Sequence, residues 1–126
     1  MVTTAINHVA QECQQWIEVL KTERSLLMDQ RTSLQSLVAA NKIPQNDLSN
    51  VDHFDNQFDI QLANVNHLKH AIKEHLQTLE LTPSVQLSAP HFTVHESLSD
   101  QFHGLSSTIE KLKEAFTAFQ NGLFNN

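Results

Sequence analysis

The sequence predicts an all-α protein, a long antiparallel up-down-up bundle of three helices forming a coiled-coil-like rod, and three observations carry that expectation. Glycine and proline punctuate the 126 residues at only five positions: Pro44, Pro83, Pro90, Gly104 and Gly122. Between them the apolar residues recur at alternating three- and four-residue spacing, which places them on one stripe of a helix. The stripes also meet one another when the chain folds back on itself at Pro44 and again across residues 80–92.

The first helix is expected over about residues 4–41, on a stripe of Ile6, Val9, Cys13, Trp16, Leu20, Leu27, Leu34 and Leu37. It ends because Pro44 disfavours helical backbone at Ile43 before it. The second is expected over about 46–80, on Leu48, Val51, Phe58, Leu62, Val65, Ile72, Leu76 and Leu79, with Asn46 or Asp47 as its cap. The third is expected over about 93–122, on Leu98, Phe102, Leu105, Ile109, Leu112, Phe116, Phe119 and Leu123. Thr93 and Glu96 form a capping-box pattern at its start, and Gly122 suits its end. Ser107 and Glu110 repeat the capping pattern just after Gly104, so a break or kink is expected there. Thr82-Pro83 has the form of a short helical turn within the linker.

Antiparallel packing about Pro44 sets Leu37 against Val51, Leu20 against Leu68 and Trp16 against Ile72. The second return sets Phe58 against Phe116, Val65 against Ile109 and Ile72 against Phe102. The same register brings Arg31 near Asp55 and Asp59, an ion pair that fixes how the helices slide. A chain of this length is one domain, residues 1–126, with enough core to fold without cross-links.

Composition narrows the function classes. A net charge of -6 with eight Lys and Arg leaves no basic face for phosphates, so no nucleic-acid partner is expected. No stretch approaches the ~20 apolar residues of a membrane span, and an acidic chain lacks the basic polar face of a lipid-surface helix. Residues 1–8 carry no secretory pattern and Cys13 is the single cysteine, so a cytoplasmic, reducing location is expected.

Catalytic motifs are missing. Two glycines cannot supply a GxGxxG or a P-loop, no GxSxG is present, and Cys13 sits on an apolar stripe. The acidic run 52–59 lacks the glycine and terminal Glu of a calcium loop. Di-iron bundles need inward Glu-x-x-His pairs, whereas His8-x-x-x-Glu12 and His70-x-x-x-Glu74 fall on outward faces. The chain is therefore not expected to be an enzyme or to carry a cofactor.

Histidine is abundant: His8, His53, His67, His70, His75, His91, His95 and His103. The register brings Cys13 level with His75, and His91 and His95 lie towards the same end. Thiolate and imidazole are zinc ligands, so a site there would draw on Cys13, His75, His91 and His95. No tight ligand spacing of the zinc-finger kind accompanies them, so no resident metal is expected.

The run Val51-Asp52-His53-Phe54-Asp55-Asn56-Gln57-Phe58, followed by Leu68-Lys69-His70-Ala71-Ile72-Lys73-Glu74-His75, resembles a family of small bacterial helical proteins with no assigned activity. The resemblance implies a helical bundle and nothing about function. The architecture, with Trp16 on the first helix, is also similar to a spectrin-type three-helix repeat.

The expected role is a non-catalytic protein–protein interaction or scaffold module. The alternative is a transition-metal- or pH-responsive binding protein using the histidine-rich end. Val19, Leu26, Met28 and Ile60 lie off the main stripes, and one rod cannot easily cover them, so a homodimer is expected.

Overall fold

The computed structural model describes residues 2–82 and 89–124, and side chains within 7–82 and 89–123. Three α-helices make up nearly all of it: α1 (Val2–Ala39), α2 (Leu48–Leu81) and α3 (Ala89–Phe124). At 38, 34 and 36 residues they run about 50–57 Å each, so the bundle is a rod. Contacts fix the directions. Arg31 on α1 reaches Asp55 and Asp59 on α2, while Phe58 on α2 meets Phe116 on α3 with ring centroids 5.2 Å apart. The helices thus run up, down and up.

One apolar seam fills the space between them. Cys13, Leu20, Leu27 and Leu34 from α1, Phe58, Val65 and Ile72 from α2, and Ile109 and Phe116 from α3 are all but sealed from solvent. Their spacing of seven residues puts them on one side of each helix, where burial stabilises the assembly. Four phenylalanines, Phe54, Phe58, Phe116 and Phe119, cluster near the α1–α2 turn with centroids 5.2–6.4 Å apart.

Several local expectations change. The first turn is closed by Asn41, in left-handed conformation at φ 59. Lys42 N–H bonds the Leu37 carbonyl and Asn41 N–H bonds that of Val38, the paired bonds that end a helix around a residue able to adopt positive φ. Buried Ile43 then plugs the end of the bundle, and a 3₁₀ turn at Gln45–Asp47 leads into α2. Asp47 occupies the cap position of α2 but makes no side-chain cap bond; its carboxylate instead accepts from Asn50 Nδ2 at 3.3 Å.

α3 begins at Ala89, a turn earlier than the Thr93 capping pattern indicates. Pro90 fits the first turn because its missing N–H has no partner to lose there. Thr93 Oγ1 donates to the Ala89 carbonyl, as an interior helical threonine does. Nor does the helix break at Gly104, whose carbonyl accepts from Thr108 Oγ1 at 3.0 Å. The expected turn at Thr82-Pro83 falls partly on residues 83–88, outside the described residues.

Candidate metal centre at one end of the bundle

The early start of α3 helps to position the site, because it puts His95 two turns into the helix rather than in its first, capping turn. Cys13 from α1, His75 from α2 and His95 from α3 are all buried. Their ligand atoms lie within 4.8 Å of one another. His95 Nδ1 is the hub, 3.3 Å from His75 Nε2 and 3.8 Å from Cys13 Sγ. Each side chain reaches the point from a different helix, so the packing of the whole bundle end sets the geometry.

Aromatic packing orients the hub. Trp16, one turn beyond Cys13, stacks on the His95 ring with centroids 4.8 Å apart and 25° between planes. Phe102 stacks on the far part of the same arrangement, 5.7 Å from Trp16. The other His95 nitrogen, Nε2, faces outward to Glu12 Oε1 at 3.3 Å, and that oxygen lies 3.4 Å from His8 Nε2.

Burial works against charge on two of the three groups. Burial, then the neighbouring Glu12 carboxylate, pushes the Cys13 thiol up to about 11. Burial also lowers the pKa of His75, helped by the nearby His95 and His91.

Cys13, His95 and Glu12 form a thiol–imidazole–carboxylate line, the order in which a nucleophile, its base and an orienting group are arranged. The chemistry runs the other way. An activated thiol has a depressed pKa and an open approach, whereas Cys13 is sealed from solvent and its proton is held more tightly than usual. Binding a soft cation is what this donor set suits.

The distances fit that chemistry. Zinc bonds imidazole nitrogen at about 2.0–2.1 Å and thiolate at about 2.3 Å, so a tetrahedron has N···N edges of about 3.3 Å and N···S edges of about 3.6 Å. The His75–His95 and Cys13–His95 separations of 3.3 and 3.8 Å lie close to those edges. The remaining edge needs side-chain movement on the order of 1 Å, within ordinary side-chain amplitudes.

Of the four residues considered from sequence, three converge and His91 does not join them. One helical turn before His95, it is half-buried and lines a groove of about 410 Å³ between α2 and α3, together with Ala71, Glu74, His75, Thr78 and Val94. That groove is a route from solvent to His75. His53, His67, His70 and His103 are exposed, and His70 pairs with Glu74 on the surface.

One contributor to the site, and one ion pair elsewhere on the rod, escaped the sequence reading. Glu12 lies off the apolar stripe, and its adjacency to Cys13 was the available signal. Glu23 and Lys113 form a sheltered α1–α3 ion pair at 3.8 Å, beside a bond from Gln30 Nε2 to the Lys113 carbonyl. No helix among the described residues is long and apolar enough to cross a membrane. No protein family, curated protein or solved structure matches this chain.

Proposed function

We propose that this chain is a non-catalytic helical module that binds a divalent transition-metal ion, zinc by its donor set, at the Cys13–His75–His95 end. The observation that supports this reading is the convergence of one thiol and two imidazoles from three helices on a buried point, with two of their separations close to tetrahedral edges. Zinc tolerates this mixed N/S set without a redox change. Blue-copper sites add a weak axial methionine, and Met28, four turns away on α1, is exposed. A thiol ligand that must stay reduced fits a cytoplasmic location.

The ion would tie together the end of the rod opposite the Asn41 turn. It must displace the tightly held Cys13 proton, so loading is expected to strengthen as pH rises towards neutrality and above. The test is thermal unfolding of untagged protein with and without Zn²⁺, with Co²⁺ absorption as the reporter of thiolate ligation. Zinc is expected to raise the melting temperature of wild type and leave a His75→Ala, His95→Ala double variant unmoved. A wild-type melting temperature indifferent to zinc overturns the reading.

A second reading, self-association as a scaffold, is supported by Val19 and Leu26, both 39% exposed and two turns apart on one face of α1. The occupant would be a second copy of the chain. Light scattering giving only the 14.3 kDa monomer at high concentration overturns it.

A further inference from the structure

We infer that Glu12 is the positioning residue of the metal centre, holding His95 in the tautomer that turns a lone pair towards Cys13 and His75. This rests on the reading of those three residues as ligands.

A neutral imidazole carries one proton, and the partner of one nitrogen decides the state of the other. As a carboxylate, Glu12 can only accept hydrogen bonds. Its Oε1 lies 3.3 Å from His95 Nε2, so Nε2 carries the proton and Nδ1 keeps its lone pair. That nitrogen is the one at the centre of the cluster, 3.3 Å from His75 Nε2 and 3.8 Å from Cys13 Sγ. In the metal-free protein that lone pair can accept from His75 Nε2–H. Among the described residues His75, unlike His95, has no carboxylate fixing its tautomer, so its proton can move to its other nitrogen when an ion binds. The opposite tautomer of His95 would aim an N–H at the same point and block a cation.

Geometry excludes Glu12 itself as the fourth ligand while this bond stands. The two imidazole nitrogens point in divergent directions, so the carboxylate on Nε2 lies on the side of the ring away from the converging atoms. Trp16 stacked on the ring at 4.8 Å resists the flip that would exchange the two nitrogens. The chain contains an internal comparison. His70 and Glu74 repeat the His8–Glu12 spacing, with a 3.1 Å contact, yet both are exposed and, among the described residues, Glu74 pairs with no buried histidine as Glu12 does. Partners of this kind on the remote nitrogen of a metal-bound histidine typically govern affinity by 10–100-fold.

The experiment compares wild type with Glu12→Leu, Glu12→Gln and, as the control for lost charge, Glu74→Gln. Long-range proton–nitrogen spectra of the metal-free proteins read the His95 tautomer, and competition with a chelator reads Zn²⁺ affinity. Wild type and Glu74→Gln are expected to show His95 protonated at Nε2 and equal affinity. Glu12→Leu is expected to populate the Nδ1–H tautomer and to bind zinc roughly 10–100-fold more weakly, with Glu12→Gln between them because its amide oxygen still accepts. An unchanged His95 tautomer and unchanged affinity in Glu12→Leu overturn the role of Glu12 while leaving the metal centre standing. Failure of wild type to bind zinc overturns both, and the two failures are distinguished by that one measurement.

Discussion

His75 Nε2 and His95 Nδ1 lie 3.3 Å apart across the α2–α3 interface, in a buried space where a second positive charge has no solvent to spread into. Stability against pH follows from this contact. His75 is flanked by Cys13 from α1 and by His91 and His95 from α3, with Glu74 beside it on its own helix. Burial first, then His95 and His91, lowers its pKa from 6.5. The unfolded chain therefore binds a proton that the folded chain refuses, and stability falls as pH drops below about 6.5. Cys13 acts at the other extreme. Its thiol is raised from 9.0 to about 11, so the unfolded chain releases a proton the fold retains, and stability falls as pH rises through that window. The melting temperature of metal-free protein should form a plateau between the two limbs. His75→Leu should flatten the acid limb and Cys13→Ala the alkaline one; limbs that survive both changes would place the titrating groups elsewhere.

Phe116 is fully buried and meets Phe58 and Phe54 edge-on, with centroids 5.2 and 5.4 Å away. Phe116→Ala should cost about 3–5 kcal/mol, since helices this long cannot close the cavity locally. Leu62→Ala, at a position only partly buried beside the core, should cost less. Urea unfolding of the two variants checks the order, and equal losses would contradict the packing described.

The pairing of Phe58 with Phe116 and of Arg31 with Asp55 and Asp59 was legible in the sequence because each stripe has a single register against its neighbour. Cys13 at the level of His75 followed from the same register. The position of His95 depended on extending α3 backward, and the capping pattern at Thr93 argued against that. Pro90 is a better start signal, because a proline in the first turn loses no hydrogen bond while a threonine can equally bond within the helix. Glu12 and Glu23 were illegible for a different reason. Periodicity assigns faces to Cα positions, and a long carboxylate can leave its own face to reach a group on another helix. The α1–α3 register that pairs Glu23 with Lys113 follows only after both other interfaces are fixed.

The two ion-pair groups should differ in consequence. Arg31 and its partners are 34–52% exposed, so Arg31→Ala should change stability by only about 0–1 kcal/mol despite the 2.8 Å contact with Asp59. Glu23 is 13% exposed and Lys113 22%, and removing the carboxylate leaves a sheltered ammonium with Glu110 as its remaining acidic partner. Glu23→Ala should therefore cost more, about 1–3 kcal/mol. Chemical denaturation at two salt concentrations separates the cases, since screening should weaken the exposed group more.

Trp16 is the single tryptophan of the chain and stacks on His95 with centroids 4.8 Å apart, so its emission reports the metal centre directly. An ion bonded to His95 Nδ1 would sit within van der Waals reach of the indole's neighbour. Co²⁺, with unpaired electrons and the same ligand preferences, should quench Trp16 strongly at that separation. Zn²⁺ is closed-shell and has no such route to quenching, yet it should displace Co²⁺ and restore the emission, because a four-coordinate thiolate–imidazole site suits d¹⁰ zinc, which gives up no ligand-field stabilisation on leaving water. Cys13→Ser should weaken the Co²⁺ response and remove the sulfur-to-cobalt absorption, while His53→Ala, on an exposed histidine far along the rod, should leave both intact. Quenching that persists in the His75→Ala, His95→Ala double variant would mean that cobalt binds surface histidines instead. In that event the three converging side chains are a neutral hydrogen-bonded plug, and self-association through Val19 and Leu26 is left as the working function.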